Sequence, residues 1–189
     1  MTELNGIEYL RRKLDMKKSR VQLRYKYYEM KNSFVDMGIS TPPNLKNWKS
    51  VLGWCGKAVD SLSDRLIFRE FMDDNFDLNE IFQMNNPDTL FDSAVLSALV
   101  SSCCFIYISA DKDGFPRLQV IDGGSATGII DPITGLLTEG YAVLEVDKDK
   151  KPTLEAYFVP GRTDYYRAGK KEAESILNSA PCLLYTSPS

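Results

Sequence analysis

The chain has 189 residues, 43% of them hydrophobic, and a formal net charge of −3. At roughly 100–200 residues per domain, this is one domain with a core, or one domain and part of a second. It contains no histidine, which removes the usual base of a serine or cysteine triad and the commonest zinc ligand, and most hydrolase and metalloenzyme classes with them.

The first residues, Met1 to Asn5, show neither a basic start followed by an apolar block nor a small-residue cleavage site. Synthesis in a cytoplasm is therefore expected. From about Leu4 to Asp36, Ile7, Leu14, Val21, Tyr28 and Val35 recur every seven residues. Arg11, Lys18 and Asn32 occupy the intermediate seam positions, so a long amphipathic helix laid across a larger body fits better than a coiled coil. Arg11, Arg12, Lys13, Lys17, Lys18, Arg20, Arg24, Lys26 and Lys31 crowd this helix. Arg11, Arg12, Lys17 and Lys18 are candidates for duplex phosphate contact, and a solvated face, or one docked on an acidic neighbour, is the competing reading.

Gly38 and Thr41-Pro42-Pro43 break the pattern, because glycine closes helices and proline cannot continue them. A second helix is expected from about Asn44 to Phe68. Leu45, Trp48, Leu52, Cys55, Val59, Leu62 and Leu66 line one of its faces, which is expected to be buried. Gly53 and Gly56 lie on the same helix, each weakening it by roughly 1 kcal/mol relative to alanine, a use consistent with close approach of another backbone. Asp60 and Arg65 are either a helix-orienting or subunit-contacting salt bridge, or exposed charges worth about 0–1 kcal/mol. Tyr25, Tyr27, Tyr28 and Trp48 fit packing and interface roles, with stacking on nucleic-acid bases as the alternative.

Asp77 with Glu80, and Thr89 with Asp92, read as capping pairs for a short helix ending at Asn85-Asn86-Pro87 and for a helix burying Leu90, Phe91, Ala94, Val95, Ala98 and Leu99. The acidic cluster Asp73, Asp74, Asp77 and Glu80 could hold a divalent metal or act as an acid/base pair. With no partner ligands identifiable, a solvated helix start is the preferred reading, because acidic side chains are stabilised near helix N-termini. The longest apolar stretch, Ala94 to Ile108, falls short of the roughly 20 residues that cross a bilayer. Cys55, Cys103, Cys104 and Cys182 lack paired ligand spacing and are expected to be buried free thiols.

After Ser102 the period changes to that of strands: Phe105 to Ile108, Arg117 to Ile121, Thr127 to Ile130, Leu136 to Val146, Thr153 to Val159 and Asp164 to Arg167, separated by turn residues. Asp111, Asp113 and Gly114 imitate part of a calcium loop, but Val120 stands where the closing glutamate is required. No nucleotide-binding G-x-x-x-x-G-K-[ST] loop exists. The expected class is α+β, with a helical part over 1–104 and an antiparallel β-rich part over 105–181. Residues 182–189 resemble a translated sequencing-adapter tail, so the natural protein is expected to continue past about Pro181.

The arrangement of Tyr27-Tyr28-Glu29, Gly38, Pro42-Pro43, Asn47-Trp48 and Val59-Asp60-Ser61-Leu62-Ser63-Asp64-Arg65-Leu66 resembles the N-terminal region of tailed-bacteriophage portal proteins, especially the siphophage type. The resemblance runs from about Ile7 to Ala180 and rests on the order and spacing of many weak features. It implies the wing region of a structural subunit, not an enzyme, with no cofactor and no membrane. The whole protein would form a ring of twelve at a capsid vertex of the virion, assembled in the host cytoplasm. Its implied partners are itself, the terminase, capsid or scaffolding protein, a head-tail adaptor, and the double-stranded DNA that passes through. The candidate interface or core residues are Tyr27, Tyr28, Trp48, Leu52, Val59, Asp60, Leu62 and Arg65. A nucleic-acid-binding module using the basic first helix is the alternative. An enzyme whose site is completed by the missing half is a second rival.

Overall fold

The computed structural model describes residues 5–31, 42, 53–72 and 77–175. Expectations that fall on Gly38, Leu45, Asn47, Trp48, Leu52, Asp73, Asp74 and residues 182–189 lie outside these. The element order is α1 (Ile7–Tyr28), α2 (Trp54–Ser63), α3 (Leu78–Met84), α4 (Pro87–Ser101), then β1 (Cys104–Ala110), β2 (Pro116–Asp122), β3 (Ala126–Ile130), β4 (Leu137–Val146), β5 (Pro152–Val159), β6 (Arg162–Arg167) and β7 (Lys170–Ser175). Helices followed by antiparallel strands make this an α+β fold.

Strands β3 to β7 form one antiparallel meander, and β1 with β2 forms a separate hairpin. Directly paired residues share a face of a sheet, so Ala126, Ala142, Ala156 and Tyr165 line one side of the meander. The hairpin covers that side, with Ile121, Phe105 and Tyr107 packed on these alanines and on Phe158. The opposite side presents Tyr141 and Tyr157, on which α1 lays Leu10 and Leu14. On the hairpin's outer face, α4 packs Ala94 and Ala98 against Cys104 and Val120. Small residues on α4 and on the central strands let these layers approach closely. Burial pushes the Cys104 thiol up to about 11.

The meander also depends on Gly128, paired with Gly140 across β3 and β4. A Cβ at Gly128 would stand 2.8 Å from the Glu139 carbonyl oxygen and clash with the Leu137 side chain. Gly128→Ala is expected to lower stability by about 1–3 kcal/mol, the usual cost of overpacking, measurable by urea denaturation. An unchanged midpoint would mean that β3 moves aside freely.

Helix α1 stops short of the expected Asp36. Met30 adopts a left-handed φ of 56°, its N–H bonds to the Tyr27 carbonyl at 3.3 Å, and the Lys31 N–H returns to the Lys26 carbonyl at 2.8 Å. This is a Schellman closure, and methionine stands where glycine is usual. Helix α4 begins two residues before the expected Thr89, at Pro87, because proline is preorganised for the first helical position. Its N-cap Asn86 and the α3 N-cap Asp77 are both left-handed and make no side-chain capping bond, so neither expected capping pair forms.

Side-chain amides stitch the remaining backbone. Asn79 both donates to the Phe71 carbonyl and accepts from the Phe71 N–H, at 3.0 and 2.8 Å. Asn85 donates to the Ile81 and Pro116 carbonyls and accepts from the Leu118 N–H, joining the end of α3 to the edge of β2. Phe68, Phe71, Phe82 and Phe91 form an aromatic cluster with ring centroids 4.5–5.6 Å apart. That cluster holds the stretch after α2 onto α3 and α4.

Candidate functional site

Among the described residues, two features call for a functional account: a buried polar anchor under α1 and uncovered apolar side chains around α2. The anchor begins at Gly6, the N-cap of α1, whose N–H donates to Glu139 Oε2 at 2.8 Å. A carboxylate at a helix N-terminus satisfies an orphan donor and complements the helix dipole. The Tyr157 hydroxyl donates to the same oxygen at 2.9 Å. One turn into the helix, Arg11 grips Glu155 with both Nε and Nη2, at 3.1 and 2.7 Å. Tyr141 donates its hydroxyl to Glu155 as well, and the guanidinium lies 5.5 Å from the Tyr166 ring.

Glu155 is buried on β5, so its charge is tolerable only because three donors converge on it. Burial alone would lower the pKa of Arg11, but the bonds to Glu155 outweigh it and hold the guanidinium above its usual range. Burial and the bond to Glu139 push the Tyr157 hydroxyl up to about 12. Because the folded chain then keeps a proton that the unfolded chain releases near pH 10, this group's contribution to stability is constant below about pH 10. It falls between there and about pH 12. The urea midpoint is therefore expected to drop through that window, and Tyr157→Phe to make the drop shallower; an identical drop in the variant would contradict the assignment.

The other basic candidates on α1 are distributed unevenly. Lys13 donates to the Gly128 carbonyl at 2.8 Å. Lys17 is half-buried, its Nζ 3.9 Å from Cys103 Sγ, and burial lowers its pKa. Arg12 is exposed and Lys18 half-buried. Arg11's charge is neutralised by Glu155, an acidic neighbour of the kind on which the basic helix was expected to dock as one reading, although no local pattern pointed to Glu155 itself.

At the other end of α1, Tyr28 Oη donates to Asp60 Oδ1 at 2.9 Å. Beside this bond, Gly56 lies under the Tyr28 carbonyl, which a Cβ would meet at 3.0 Å, and Gly53 faces the Met30 side chain. The expected close approach of another backbone is met at Gly56, by the end of α1, whereas Gly53 meets only the Met30 side chain. Asp60 and Arg65 are both exposed, and Asp60 serves α1.

The apolar stripe of the second helix does not sink into this chain. Gly56 and Ser63 are the buried residues of α2, while Cys55 is exposed, Val59 half-buried, Leu62 48% exposed and Leu66 45% exposed. Trp54 at 78% and Ile67 at 76% are open as well, as are Met72 and, on α1, Tyr27. The stripe's described members are thus largely uncovered in the single chain, where Gly56 lies against the end of α1. Trp54, Ile67 and Met72 were not singled out by the periodicity, since Trp54 and Ile67 stand one position off the stripe and Met72 lies past the expected end of the helix.

Asp111, on the imitated calcium loop, is used locally. Its Oδ1 accepts the Lys112 N–H at 2.7 Å and its Oδ2 pairs with Arg117 at 2.9 Å, closing the β1–β2 turn. Among the described residues, no helix is long and apolar enough to cross a membrane.

Comparison with protein families gives a match over residues 7–180 to the family described as phage portal protein, SPP1 Gp6-like. Direct comparison with individual curated proteins gives no match.

Proposed function

The chain belongs to the SPP1 Gp6-like family of phage portal proteins, and from that membership we propose that it is the wing-region part of a subunit that closes into a ring of twelve. Portal proteins are structural components of the phage head, at the connection to the tail. In the proposed ring, duplex DNA driven by the terminase enters the capsid through a central channel and later leaves by the same route. Capsid or scaffolding protein would contact the outside, and a head-tail adaptor would bind one end.

The observation that supports this reading is the apolar surface left open by Trp54, Leu62, Leu66, Ile67 and Met72. Large apolar side chains left open within one stretch of chain and interleaved with charged residues fit a protein contact site. Val59, Asp60 and Arg65 border it, Tyr27 and Tyr28 approach it from α1, and Trp48 and Leu52 belong to the same proposed contact by sequence. A closed ring requires two different complementary patches on each subunit, and this surface would supply one.

The rival reading, a duplex-binding module on α1, requires free cations. With Arg11 paired to Glu155 and Lys13 and Lys17 turned inward, Arg12 and Lys18 remain of the four named candidates. Such binding would weaken steeply with salt. A channel that must release DNA gains nothing from tight phosphate contact.

Native mass spectrometry of the purified chain tests the proposal. Self-association that Ile67→Asp abolishes is expected. A chain that stays monomeric at all concentrations, with or without that substitution, would overturn it.

A further inference from the structure

We propose that the outward stripe of α1 in one copy seats in the groove between the end of α2 and the start of α4 in the next copy. This deepens the ring reading above and rests on it, by naming the two surfaces that meet. The groove has a volume of about 280 Å3 and, among the described residues, is lined by Asp64, Leu66, Ile67, Asp88, Phe91 and Asp92 among others, none of them basic. Its three aspartates are exposed, and Leu66, Ile67 and Phe91 give it an apolar share beside them. It therefore calls for a partner that brings positive charge and oily side chains together.

This chain carries such a partner. Arg12, Met16, Arg20, Leu23 and Tyr27 follow one another at steps of four, four, three and four residues, which places them on one face of α1. All five are exposed, Met16 at 80%. The buried residues Leu10, Leu14 and Val21 each precede a stripe member by two positions, or about 200° of helix rotation at 3.6 residues per turn, so stripe and packed face point away from each other. Helix-in-groove recognition reads apolar anchors at this spacing. Opposite charges around the anchors set register and exclude wrong partners.

A second copy is the occupant because both halves of the fit belong to the same sequence and share no residue. Each copy can then use its stripe and its groove at once, as a head-to-tail interface requires. Met16 and Leu23 enter over Leu66, Ile67 and Phe91, and Arg12 and Arg20 face the aspartates. The same groove holds part of the open apolar surface that supports the ring, so the contact would cover it.

Charge reversal tests the pairing. One variant carries Arg12→Glu with Arg20→Glu, the other Asp88→Lys with Asp92→Lys, and self-association of each alone and of an equal mixture is followed by sedimentation velocity, with thermal melts of each. Each variant alone should lose at least about tenfold in self-association, because like charges then meet face to face. The mixture should recover it, because every stripe again finds a groove of opposite sign. Variants that associate as well as the unmodified chain would remove this contact and leave the ring reading standing. Folded variants whose mixture fails to recover would do the same. If neither the unmodified chain nor the mixture associates, both fall. A groove variant that melts earlier without any change in assembly would show that the groove is covered by this chain's own residues 32–52. Stripe reversal that abolishes duplex retention and leaves self-association unchanged would show that the stripe serves DNA; both results overturn the proposal.

Discussion

Arg11→Ala is expected to destabilise the chain by about 3 kcal/mol, read as a fall in the urea midpoint with an unchanged slope. The guanidinium brings a full positive charge to Glu155, and the side chain of Glu155 is 8% exposed. Removing one partner of a buried ion pair leaves the other uncompensated, and this costs about 3–5 kcal/mol. Part of Arg11 reaches the surface, where it also bonds Glu8 at 2.6 Å, which places the effect at the lower end. Tyr141 still donates to Glu155 after the substitution but supplies no charge. Replacing Arg11, Glu155 and Tyr141 together by methionine, leucine and phenylalanine should cost far less, because apolar groups of similar shape commonly match or exceed a buried ion pair in stability. A loss under about 0.5 kcal/mol for Arg11→Ala would place the pair in the surface class and contradict the anchor.

Leu10→Ala should cost about 2–5 kcal/mol, the range for a leucine removed from a packed core. Leu10 is fully buried and packs with Leu14 and Tyr141 between α1 and the meander. One residue from the Arg11 grip, the site has little freedom to collapse into the cavity. Leu62→Ala offers the internal contrast. Its side chain is about half exposed in the single chain, so its loss should leave the urea midpoint within about 0.5 kcal/mol, as for other surface changes. Its effect should appear in self-association instead. Equal stability losses for the two leucines would contradict the division between core and contact surface.

The two truncations together show what the sequence could and could not reveal. All six expected strands are present because each combines β-branched or aromatic residues with turn chemistry at its ends. Strand β7, with the sequence Lys170-Lys171-Glu172-Ala173-Glu174-Ser175, escaped because its charges suit an edge rather than a half-buried face. Leu14 and Val21 were legible as core from their spacing, and both are buried. The stripe on the second helix obeyed the same rule and yet faces outward. Periodicity reports that a face avoids water, not which molecule covers it, and in the proposed ring a copy of the chain would cover this one. Arg11 was misplaced among phosphate candidates for a related reason. Its partner Glu155 lies 144 positions away, and no local pattern couples the two.

End-on electron micrographs of the assembled chain test the central claim most directly. The account predicts closed rings with a single rotational axis and an open centre, built from one repeated head-to-tail contact, and dispersed by aspartate at Ile67. Two-fold pairs, or open filaments that persist when Ile67 is replaced, would show that the exposed apolar surface serves some other contact and would contradict it.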